Sequence, residues 1–130
     1  MSWDIILFHS RQTINSVEEI DEKQLEPTDF CSVLENHFNN IEKNNNHRRI
    51  KGRGFEIEYF TDTENVSNKL LSLYGAQGLF EIVRLAKQNK WQIFDTSIEQ
   101  MINLENPEIN GYDNFKGYLG QILNNKKSSR

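Results

Sequence analysis

At 130 residues and a formal charge of −4, with 36% apolar and 26% charged residues, the chain has the size of one ordinary domain. That is enough to bury about two thirds of the surface its unfolded form exposes. Its single cysteine, Cys31, excludes an internal disulfide and any multi-thiolate metal site, as suits a reducing compartment.

The opening Met1-Ser-Trp-Asp-Ile-Ile-Leu-Phe has no basic leader, and its apolar run of four residues falls far short of a signal h-region or a membrane span, so a cytoplasmic protein is expected. Ile5 to Phe8 reads as a short, central, buried strand, closed by the polar Ser10-Arg-Gln-Thr. Ser16-Val-Glu-Glu has the spacing of a capping box, which predicts a helical turn over 17–21. Pro27-Thr-Asp then announces a helix with Thr28 or Asp29 as N-cap. Phe30, Val33, Leu34, Phe38 and Ile41 form its apolar stripe. Glu42 to His47, with its run of asparagines, reads as a solvated loop.

Gly52 and Gly54 mark a turn before Phe55 to Phe60, where Phe55, Ile57 and Tyr59 alternate with Glu56 and Glu58 as in a half-buried strand. Thr61 to Asn65 is turn material, and Asn68 to Tyr74 is the second strand of a hairpin. From about Leu79 to Asn89 a helix places Leu79, Ile82, Val83 and Ala86 on one face, with Arg84, Lys87 and Lys90 late in it, where cations suit the helix dipole. Trp91 to Thr96 and Met101 to Leu104 read as short strands around a turn at 97–100. Tyr112, Phe115, Tyr118, Leu119, Ile122 and Leu123 recur at helical spacing, although Gly117 and Gly120 each cost about 1 kcal/mol against alanine, so this last helix must lean on the body. Residues 124–130 form a basic tail.

These elements predict a single α+β domain over residues 1–123, a mainly antiparallel sheet with helices packed on one face, and favour a ferredoxin-like topology. No internal repeat is visible.

Charge is uneven along the chain. Residues 1–46 hold nine acids against three bases, 47–60 two against four, and 61–130 eight of each. The acidic stretch with Glu18, Glu19, Asp21, Glu22, Glu26, Asp29 and Glu35 is the best candidate for a partner-binding surface, since it would steer a basic protein. The solubilising face is its bland alternative. His47-Arg-Arg-Ile-Lys-Gly-Arg-Gly with Phe55, Tyr59 and Phe60 could bind a single-stranded nucleic acid weakly through residues 47–60. The overall acidity argues against that, and nucleic-acid binding is not expected.

Cys31 and His37, six apart on a helix, sit about 120° round and about 9 Å along from each other, too far for a dyad. His37 reads instead as a core-edge histidine. His9, His37 and His47 lack metal-ligand spacing, and the glycines match no phosphate-binding loop, so no catalytic residue, metal or cofactor is called for. Asp95, at a strand end, would serve an enzyme or ligand site in a cleft, or would simply cap the Thr96-Ser97 turn.

Met1-Ser-Trp-Asp-Ile, Gly54-Phe-Glu-Ile-Glu-Tyr, and Trp91-Gln-Ile-Phe-Asp before Met101-Ile-Asn-Leu together resemble a family of small bacterial proteins of unknown function that open with Met-Ser-Trp-Asp and carry a Trp-x-x-x-Asp strand. The likeness spans residues 1 to about 104, with Asn103 where many relatives have Asp. Some such proteins are thought to accompany polymorphic toxins as immunity partners. The resemblance implies a non-enzymatic, cytoplasmic protein-binding domain, and supplies no catalytic residues. The competing expectations are a small enzyme or ligand-binding domain with a strand-end cleft near Asp95, and the nucleic-acid module.

Overall fold

The computed structural model describes residues 3–105, so the helix expected over 112–123 and the tail lie outside the described residues. The chain runs through β1 (Trp3–His9), two short 3-10 turns (Val17–Glu19 and Glu22–Gln24), α1 (Phe30–His37), β2 (Ile41–Asn44) and β3 (His47–Gly52). It continues through β4 (Phe55–Phe60), β5 (Asn68–Tyr74), α2 (Ala76–Asn89), β6 (Trp91–Asp95) and β7 (Gln100–Met101). The strands form one seven-stranded sheet in the order β2-β3-β4-β5-β1-β6-β7, and every pairing is antiparallel. The α+β class and the antiparallel sheet agree with the sequence. The sheet is larger than expected.

Residues directly opposite in an antiparallel ladder share a face, so the register assigns each side. Trp3, Ile5 and Leu7 of β1 stand with Ile50, Ile57, Tyr59, Leu71, Leu73, Trp91 and Ile93 on one side, and all are buried. Both helices cover that side. Phe30 of α1 packs on Trp91 with ring centroids 4.9 Å apart, and Phe38 on Phe55 at 6.1 Å. Leu79, Ile82, Val83 and Ala86 of α2 complete the same core, as their 3.6-residue spacing requires. No helix of the described residues is long and apolar enough to cross a membrane.

Two expectations need correction in the middle of the chain. Helix α1 ends at His37, and Phe38 takes an extended conformation (φ −101°, ψ 140°) while its N–H still bonds Leu34 O. Ile41 therefore belongs to β2, packed against the same core from a strand. A helical stripe and a following strand can both deliver an apolar residue to one side, which is why spacing alone extended the helix. The supposed loop at 42–47 is a hairpin: Asn44 pairs with His47 and Ile41 with Ile50 around Asn45-Asn46. Asn45 sits at φ 56°, a left-handed conformation that asparagine tolerates.

The smaller differences lie at element ends. Ser16 Oγ accepts from Glu18 N at 3.3 Å, but that turn stops at Glu19. Helix α2 begins at Ala76, because Gly75 at φ 100° swings the chain out of β5 at once. Strand β7 is confined to Gln100–Met101.

Of the two N-caps considered for α1, Asp29 holds the position, accepting from Ser32 N at 3.0 Å and Ser32 Oγ at 2.7 Å. The side-chain bond and then the backbone bond from Ser32 hold its carboxyl below the usual aspartate range. A lowered folded pKa stabilises the fold above the unfolded value, and the gain is lost as pH falls through the folded one. Asp29→Ala is expected to cost about 1 kcal/mol at pH 7. Thermal melts should show the difference from wild type shrinking as pH falls below the usual aspartate range.

Candidate protein-contact surface

Residues 10–28 leave β1 and fold back beside its end: Ser10 bridges Leu25, Arg11 N bonds Gln24 O, and Glu26 N bonds His9 O. Gln12 ties the loop internally, its amide donating to Glu19 O and accepting from Asp21 N. Gln92 of β6 ties it to the sheet, accepting from Ile14 N at 2.7 Å and donating to Gln12 O at 2.8 Å. Gln92 lies opposite Phe8 on the side of the sheet away from the helices. The loop therefore covers one end of the open face, and Phe8 is only 8% exposed.

The candidate carboxylates divide. Glu18, Glu19, Asp21 and Glu22 are exposed around the two 3-10 turns, and none has an ion-pair partner among the described residues. Asp21 caps the second turn through Lys23 N. Glu26 is engaged, 3.5 Å from Arg11 Nε. Glu35 does not join them: it lies on α1 above the β2–β3 hairpin, 2.8 Å from Arg48 Nε and 3.6 Å from Lys43 Nζ. Sequence proximity grouped seven carboxylates, and packing keeps four of them free for contact, with Asp29 committed to capping α1.

The basic cluster is dispersed by strand alternation. Arg48 turns toward α1, while Arg49 and Lys51 turn to the open face, where Arg49 pairs with Glu58 and Lys51 with Glu42 at 2.6 Å. Burial pushes the Glu58 carboxyl up, but the bonds from Arg49 and His47 outweigh it and leave the group more acidic than usual. Arg53 stands in the exposed turn between β3 and β4. The four cations thus form no common face.

The thiol and the imidazoles are placed apart as well. His37 joins the two helices through Glu81 at 3.3 Å, His47 meets Glu58 at 3.2 Å, and His9 donates to Glu26 O at 2.9 Å. Cys31 lies near Asp62 and Lys69, and burial raises its pKa. Lys69, 7% exposed, is held by Asp62 at 2.7 Å and by Phe60 O. Asp95 is fully buried: its Oδ1 accepts from Trp3 Nε1 (2.7 Å), Ser97 N (2.9 Å) and Ser97 Oγ (2.7 Å). It caps the turn after β6 and has no exposed surface of its own.

A cavity of about 670 Å³ runs between the 10–15 segment, the end of α2 and β6–β7. Its size suits a small ligand. Several of its polar groups, however, are already engaged within the fold: Arg11 with Glu26, Lys87 with Glu105, and Gln92 with Gln12 and Ile14.

One feature of the open face went unread in the sequence. Leu70 lies opposite Ile6, Ile6 opposite Phe94, and Phe94 opposite Met101, while Phe60 continues the row from β4. The result is an apolar row across five strands, with Phe60 60% and Leu70 53% exposed. Its signal was the pairs of adjacent apolar residues, Ile5-Ile6, Tyr59-Phe60, Leu70-Leu71 and Ile93-Phe94. In a strand, one of each pair must point away from the core.

No protein-family model, curated protein or solved structure matches the chain.

Proposed function

We propose that this protein is a non-enzymatic protein-binding domain that covers a basic surface on its partner, in the manner of an immunity protein that neutralises a bacterial toxin. The observation that carries the reading is the division among the carboxylates. Glu26, Glu35, Glu42, Glu58 and Glu81 are held in ion pairs within the fold, whereas Glu18, Glu19, Asp21 and Glu22 face solvent, with Lys23 and the Glu26-paired Arg11 as the cations beside them. Such a patch accelerates encounter with a cationic partner and disfavours acidic competitors. A bacterial cytoplasm, where Cys31 stays a thiol, belongs to the same proposal.

The ferredoxin-like reading also stands as a proposal, restricted to β4-β5-β1-β6 with α1 and α2. It is supported by β1 lying between β5 and β6, so that α2 crosses over one strand, with the β2–β3 hairpin and β7 as extensions.

The test is a comparison of wild type with the Glu18→Lys, Glu19→Lys, Glu22→Lys triple variant as immobilised baits in a bacterial lysate. Wild type is expected to enrich basic proteins over acidic ones and to lose them as salt rises, and the variant to retain few of them. Equal recovery by the two baits would overturn the proposal.

A further inference from the structure

We infer that the open face of the sheet is the seat of that partner, and that it takes a basic amphipathic helix laid along the apolar row from Phe60 to Met101. The inference rests on the proposed function above and gives its contact a place and a chemistry. Large apolar side chains lined up in one row and rimmed by charge, with Phe60 and Leu70 exposed and Ile6, Phe94 and Met101 half-buried, are the mark of a contact surface. The row crosses β4, β5, β1, β6 and β7. Four strand spacings make it about 19 Å long. A helix of about thirteen residues spans the same length, and its i, i+3, i+4, i+7 positions supply an apolar stripe to match.

The rims of the row specify the charge. On the sheet itself, Asp4, Glu42, Glu56 and Glu58 stand against Arg49 and Lys51. At the other side, the loop anchored through Gln92 brings Glu18, Glu19, Asp21 and Glu22 against Lys23. Eight carboxylates thus border the row against three cations, so this side carries more negative charge than the chain as a whole. A second copy of the chain is a poor occupant, because a twofold contact would set these carboxylates against their own kind. A helix with lysines or arginines flanking its apolar stripe complements both the row and its rims.

The experiment uses the full chain and a fluorescently labelled peptide of about fourteen residues, built of leucine and lysine at amphipathic helical spacing, with a leucine and glutamate peptide of the same pattern as control. Anisotropy is expected to show saturable binding of the lysine peptide and at least about tenfold weaker binding of the glutamate peptide. Leu70→Ser and Phe60→Ser, both at exposed positions, should each weaken binding at least about fivefold with unchanged melting temperatures. The triple charge reversal at 18, 19 and 22 should weaken it further and flatten its salt dependence.

Binding that ignores both serine variants but responds to charge reversal would overturn the seat on the sheet while leaving the acidic-surface reading in place. Binding indifferent to all of them would overturn both. A concentration-dependent dimer that Leu70→Ser dissolves would give the face to a second copy, and a gain in peptide binding on Leu119→Ser would give it to the chain's own 112–123 segment. Either result overturns the inference.

Discussion

Gly75→Ala is expected to destabilise the fold by at least about 3 kcal/mol, read as a lower urea midpoint with an unchanged slope. Gly75 sits at φ 100° between β5 and α2, where an L side chain is strained by about 1–3 kcal/mol. A methyl there would also collide with the carbonyl oxygen of Gly54 and lie 3.1 Å from Phe55 Cα. Both obstacles are backbone atoms, one in the β3–β4 turn and one at the start of β4, so relief requires moving that turn and the Phe55 ring packed on Phe38. Gly78→Ala is the control. Its nearest neighbours would be side-chain atoms at 3.4 to 3.6 Å, and in the first turn of α2 alanine should add about 0.5 kcal/mol. Equal midpoints for the two variants would refute the close approach of Gly75 to the 54–55 backbone.

Asp95→Ala should cost about 2–3 kcal/mol, because it removes the carboxylate acceptor of the buried Trp3 indole N–H and the two bonds from the N–H and hydroxyl of the exposed Ser97 that hold the turn. Each buried donor left without an acceptor costs about 1–3 kcal/mol. Asp95→Asn keeps a carbonyl oxygen in the place of Oδ1, which carries all three bonds, while Oδ2 has none. The asparagine variant is therefore expected to lose only about 1 kcal/mol, and tryptophan emission should stay native-like where the alanine variant's shifts. If asparagine proved as damaging as alanine, the carboxyl's charge rather than its capping geometry would be what the fold retains.

The strands and helices that pack on one another were largely readable because their periodicities are long enough to count. Phe55, Ile57 and Tyr59 alternate for a whole strand, and Leu79, Ile82, Val83 and Ala86 hold helical phase for two turns. The β2–β3 hairpin was missed because Glu42 to Asn46 is polar on both faces: an edge strand with one buried residue, Ile50, across from it offers little contrast to a loop. The symmetry of Ile41 and Ile50 about Asn45-Asn46 was the clue available.

For the surface, legibility ran the other way. The acidic stretch was visible as composition, but its division into free and engaged carboxylates depends on Arg48 and Lys43 reaching Glu35, and on Arg11 reaching Glu26, across a folded hairpin and a returning loop. The apolar row likewise depends on strands 60 and 90 residues apart in order being placed side by side.

Local pattern alone settled the α+β class, the start of α1 just after Pro27-Thr-Asp, the core face of α2 and the separation of Cys31 from His37 on one helix, because each follows from backbone geometry within a few residues. The strand order, the pairing of Glu35, the burial of Asp95 and the line of apolar side chains on the open face emerged only with the fold. Ion pairing and solvent exposure are set by neighbours in space, and one sheet gathers those neighbours from both ends of the described chain.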